Sequence, residues 1–209
     1  MLKMNSRKFL PFIFLSISTL IFSQSNQFLK PVQHPLFSNL NSDYYYLLRA
    51  TLIQKDYPTL ALLKTSHLPE SIFYVSHDLN DGKYYVNFKI AKSSIWEKYY
   101  DRSKKKIQVD SWRKNIDTNS FESLKKLFDY NLYNTKYDIN YKEYFDGEQY
   151  LFLSDRKTGF IEDVAENSDV YKAIKICEKL IEQIKTTKGN KFIITTELKN
   201  EIDKIVNDN

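Results

Sequence analysis

The chain has 209 residues, 27% of them charged, and a formal net charge of +5. Its single cysteine, Cys177, excludes an intramolecular disulfide, and its four scattered glycines exclude a glycine-rich phosphate loop and the Rossmann and Gly-x-Ser-x-Gly signatures. With one cysteine and only His34, His67 and His77, a soft-ligand metal site has no basis either.

The N-terminus carries Lys3, Arg7 and Lys8 ahead of an apolar run from Phe9 to Phe22, which passes directly into the polar residues Ser23 to Gln27. That run falls short of the about 20 apolar residues a membrane-spanning helix needs. Residues 1–23 are therefore expected to be a secretory signal peptide, with an uncleaved anchor as the alternative. No cysteine lies near the expected cut to accept a lipid. Cleavage would remove three basic and no acidic side chains, lowering the charge from +5 to +2. A domain that close to neutrality lacks the broad positive field of a nucleic-acid binder. The expected destination is the periplasm or the medium, with membrane contact only through the signal peptide during export.

Residues 24–41, with Pro31 and Pro35 and no periodicity, read as an extended lead-in, and residues 42–209 as a single α+β domain. Ser42 and Asp43 are N-cap residues for a first helix in which Tyr45, Leu48, Leu52 and Ile53 recur at helical spacing. Pro58 would end or restart it, and Leu60 to Leu63 would form a second short helix closed by Pro69. From Ser71 the period falls to two. Tyr84, Val86, Phe88 and Ile90 alternate with Tyr85, Asn87 and Lys89, and Ile72 to Ser76 is the partner strand across an Asn80-Asp81-Gly82 turn. Ile107 and Val109 suggest a third strand, whereas Ser94 to Asp101 has no assignable pattern.

Ser120 is the candidate N-cap of a helix with Phe121, Leu124, Leu127, Phe128 and Leu132 on one stripe. Tyr150 to Leu153 and Gly159 to Val164 read as a hairpin, with Gly159 in its turn. Val170, Ala173, Ile174, Cys177, Leu180, Ile181 and Ile184 then keep one seam, which predicts a long helix from about Asp169 to Lys188 ended by Gly189 as its C′ residue. Phe192 to Ile194 would be a short strand, and Thr196 would cap a terminal helix burying Leu198, Ile202, Ile205 and Val206. Strands and helices without strict alternation predict an α+β fold: a mainly antiparallel sheet with helices on one face, including the long helix near the C-terminus.

Few residues single themselves out for chemistry. The segment from Asp78 resembles the start of a calcium loop, but its fifth position is Gly82 and its twelfth Lys89, so His77-Asp78 reads as the approach to a β-turn and no metal is expected. Cys177, inside an apolar seam, reads as a buried small hydrophobe. No spacing singles out a carboxylate pair, no cofactor is implied, and no motif is specific enough to name a family.

What remains is aromatic. Trp96, Tyr99, Tyr100 and Trp112 flank the basic residues Arg102, Lys104, Lys105 and Lys106 and are the candidate binding residues. Tyr137, Tyr141, Tyr144 and Phe145 crowd the segment before Gly147. Exposed Trp and Tyr bury much area at low entropic cost, as protein and carbohydrate recognition require, although the same residues would equally fill a sheet's core face. The basic run reads as a solvated turn. The expected function is a non-enzymatic exported domain that binds another protein or a surface polymer. The alternative is an exported hydrolase whose Asp, Glu or His residues meet only in the fold.

Overall fold

The computed structural model describes residues 28–31, 43–65, 69–103, 105–136, 148–155 and 157–207. The expected signal peptide, most of the lead-in, the Ser42 cap, His34, His67, Lys104 and the segment 137–147 with its four aromatic residues and Gly147 lie outside the described residues.

Among the described residues eight strands, β1 (Lys30–Pro31), β2 (Pro58–Thr65), β3 (Ser71–Asp78), β4 (Lys83–Ala91), β5 (Val109–Ile116), β6 (Gln149–Ser154), β7 (Lys157–Glu162) and β8 (Lys191–Phe192), form one sheet. Their spatial order is β1-β7-β6-β2-β3-β4-β5-β8. All pairings are antiparallel except the parallel pairing of β5 with β8. The helices are α1 (Asp43–Leu48), which runs on into a π-helical segment Arg49–Ile53, then α2 (Ile95–Tyr100), α3 (Thr118–Tyr133), α4 (Asp169–Thr186) and α5 (Thr196–Asn207). This is the α+β architecture that the sequence predicts.

The three longer helices share one face of the sheet, where Leu124, Phe128, Ile174, Leu180 and Ile202 pack on Leu60, Phe73, Val86 and Phe152. The short α1, the π-helical segment and α2 cover part of the opposite face, where Leu48, Leu52 and Ile95 meet Ala61, Leu63, Ile72, Tyr74, Leu151 and Leu153. Each larger side chain buried in this way contributes about 1.5–3 kcal/mol.

That second layer explains the main correction. Leu60 to Leu63 form no helix but the middle of β2, with Leu60 and Leu62 in one core and Ala61 and Leu63 in the other. A strand buried on both sides has no polar alternation to announce it, and Pro58 occupies the first strand position, where its missing N–H is tolerated. Three smaller corrections follow from hydrogen bonds and sterics. Asp117, not Ser120, is the N-cap of α3; its carboxylate accepts the Ser120 N–H at 3.0 Å. Gly159 lies inside β7, where a Cβ would sit 2.9 Å from Leu29 Cβ, and the turn falls before it, with Asp155 at φ 50°. α4 ends at Thr186, and Gly189, at φ 83°, turns the chain toward β8 while Lys114 Nζ donates to the Thr187 and Gly189 carbonyls.

Candidate functional site

A six-residue helix does not persist in water on its own propensity, so α2 depends on what grips it. Ser94 Oγ accepts the Glu97 N–H at 3.1 Å as its N-cap. The decisive partner is remote: the fully buried Glu70, just before β3, accepts the Ile95 and Trp96 N–H groups, each at 2.7 Å. A carboxylate there also faces the positive end of the helix dipole. Glu70 receives a third hydrogen bond from the Tyr44 hydroxyl of α1 at 3.1 Å. Burial, then the neighbouring Glu70 charge and this hydrogen bond, push the Tyr44 hydroxyl well above the ordinary tyrosine value, so it remains a donor.

With α1 and α2 tied to one carboxylate, their rings meet. Tyr44 lies edge-on to Trp96 with centroids 5.0 Å apart, and Tyr99 stands 5.9 Å from Tyr44 and 5.8 Å from Trp96. Trp96 and Tyr99 are each 36% exposed, and Tyr46 and Tyr100 on the same two helices are each 76% exposed. The result is an aromatic face with a buried polar anchor beneath it.

Three of the four sequence-predicted binding residues, Trp96, Tyr99 and Tyr100, therefore share α2. Trp112 does not join them. It points to the opposite side of β5, stacks on Phe88 with centroids 5.6 Å apart, and lies under Lys185. Sequence reasoning missed Tyr44 and Tyr46, although the run Tyr44-Tyr45-Tyr46 at a helix start was a usable signal.

Carboxylates do gather elsewhere. Glu148, Asp163 and Glu178 line a cleft of ≈ 440 Å³ between the ends of β6 and β7 and the start of α4, together with Tyr150, Tyr171 and Lys175. Glu148 accepts from Lys64 at 2.5 Å and from the Tyr150 hydroxyl at 2.6 Å, and Glu178 accepts from Lys175 at 2.7 Å. Partial burial pushes the Glu148 carboxyl up, but the bonds from Lys64 and Tyr150 outweigh it and leave it below the ordinary glutamate value. A general acid needs the reverse shift.

His77 is exposed on β3 with its ring 4.8 Å from that of Tyr84. Asp78 pairs with Arg113 at 3.1 Å and accepts the Asn80 N–H at 3.0 Å, and Gly82 takes φ 67° in the turn that follows. Cys177 is buried, and burial raises its thiol pKa far above the ordinary value. Among the described residues no group of three or more His, Cys, Asp or Glu could hold a metal ion, and no helix is long and apolar enough to cross a membrane. Comparison of the chain with protein-family models, curated proteins and solved structures gave no match.

Proposed function

We propose that the chain is an exported, non-enzymatic domain that binds another protein or a surface polymer through the aromatic face of α1 and α2. The observation that carries this reading is the gathering of Tyr44, Trp96 and Tyr99 on two helices joined through Glu70, which also carry the exposed Tyr46 and Tyr100. Rings held in place lose little entropy when a partner covers them, which is the property of a good anchor. Export rests on Lys3, Arg7, Lys8 and the apolar run behind them.

Co-sedimentation of the processed chain with purified cell-envelope material tests the reading. The parent should be retained, and Tyr46→Ala combined with Tyr100→Ala should weaken retention by about tenfold with an unchanged urea midpoint, because both side chains face water. Equal retention of parent and variant would overturn it. The hydrolase reading draws on the cleft of Glu148, Asp163 and Glu178. It would gain only if the parent cleaved an envelope polymer that a Glu148→Gln variant left intact.

A further inference from the structure

α2 borders a second feature. Lys92, Lys98, Lys106 and Asp110 line an open groove of ≈ 600 Å³, within the about 300–1,000 Å³ typical of ligand sites. Lys92 pairs with Asp110 at 3.0 Å. Among the described residues Lys98 and Lys106 make no ion pair, so the groove keeps an excess of positive charge. Thr51, Gln54 and Gln108 add a hydroxyl and two side-chain amides to the lining.

The wall that carries Thr51 and Gln54 is itself unusual. The π-helical segment closes with the Gln54 N–H donating to the Arg49 carbonyl at 2.8 Å, which leaves Gln54 at φ 61° and ψ −113°. A left-handed φ is costly for any residue but glycine, and π-helical segments and strained backbone concentrate at functional sites. Lys98 shares its short helix with Trp96, Tyr99 and Tyr100, so the groove and the aromatic face are joined by α2.

We propose that this groove takes an acidic glycan, whose anionic groups pair with Lys98 and Lys106 while Thr51, Gln54 and Gln108 bond its hydroxyls. This names the partner class for the aromatic-face reading and rests on it. An acidic peptide fits less well. It offers the same carboxylates to Lys98 and Lys106 but no row of hydroxyls for Thr51, Gln54 and Gln108 to bond.

The processed chain, titrated with an oligogalacturonate and followed by tryptophan emission, decides the matter. A neutral glucan of equal length, poly-glutamate and inorganic phosphate serve as the other probes. The oligouronate should bind, and Lys98→Gln combined with Lys106→Gln should weaken it at least about tenfold. The urea midpoint should not move, and Lys204→Gln on α5 should leave binding unchanged. Undiminished binding by the double lysine variant would overturn the proposal. Poly-glutamate binding as tightly as the oligouronate would replace the glycan with an acidic peptide, and phosphate binding as tightly would reduce the groove to a free-anion site. Equal binding of the neutral glucan, or no binding of any probe while the parent still sediments with envelope, would remove the acidic-glycan assignment and leave the aromatic face standing. Loss of sedimentation in neither aromatic nor lysine variants would remove both.

Discussion

The buried carboxylate of Glu70 accepts the Ile95 backbone N–H at 2.7 Å across 25 positions of the chain. That bond, with those to Trp96 and Tyr44, gives a short helix a fixed place on the sheet. Glu70→Ala should leave two backbone donors and a hydroxyl without their acceptor and cost about 3 kcal/mol or more, since each buried donor so stranded costs about 1–3 kcal/mol. Glu70→Gln keeps an acceptor and should cost roughly half as much. Urea melts read the stability, and Trp96 emission in a Trp112→Phe background reads the seating of α2. A Glu70→Ala protein with the parental midpoint would mean that α2 does not depend on this carboxylate.

Asp117 supplies the pH-dependent prediction. Its carboxylate accepts the Ser120 N–H at 3.0 Å and the Ser120 hydroxyl at 2.8 Å at the start of α3. Burial pushes this carboxyl up, but the Ser120 bonds and the Lys199 charge outweigh it and hold it below the ordinary aspartate value. A carboxyl depressed by folding stabilises fully above its unfolded pKa, about 3.9, and loses that contribution as pH falls through the lower folded value. Asp117→Ala should therefore cost about 1 kcal/mol at neutral pH, and the gap between parent and variant should close below about pH 4. A gap of constant size down to strong acid would show that the cap acts without its charge.

For α4, the contrast lies between its two sides. Ile174 is 2% exposed, so Ile174→Asp would bury an unpaired carboxylate and cost at least about 4 kcal/mol. Lys179 is exposed and bonds Glu201 of α5 at 2.7 and 2.8 Å, so Lys179→Gln should cost no more than about 1 kcal/mol. Cys177, one turn from Ile174, reports the same packing chemically: a thiol reagent should label it slowly in the native parent and quickly in Ile174→Asp. Equal midpoints for the two variants would mean that this side of α4 faces no core.

Elements with one polar side were legible. The alternation in β4 and the seam of α4 each put a repeating solvent face beside a repeating core face, and both elements form where expected, although Ile181 proves half-buried. β2 was misread because burial on two sides erases the period. α2 was unreadable for a different reason: part of its N-terminal grip comes from Glu70, which no local pattern announces. The candidate site was half legible. Proximity in sequence suggested Trp96 and Trp112 as one group, but an element boundary and the parity of β5 separate them onto opposite faces. The groove combines residues from the π-helical segment, α2 and the approach to β5, a grouping that only the fold creates.

α4 also measures the molecule. It receives the chain from β7 and delivers it to β8, six positions along the strand order, a width of about 29 Å at roughly 4.8 Å per strand. Its 18 residues rise about 27 Å. Ile174, near its start, lies in the cleft with Tyr150 of β6, and Lys185, near its end, lies over Phe88 of β4 and Trp112 of β5. The helix is a spacer cut to the breadth of the sheet it crosses. A single turn more or less, about 5.4 Å, would exceed the distance between neighbouring strands, a mismatch that the connections 163–168 and 187–190 would have to absorb for Phe192 to keep its place beside Ile116. The length of this one helix and the breadth of the sheet it crosses agree to within one strand spacing, and the connections 163–168 and 187–190 span what remains.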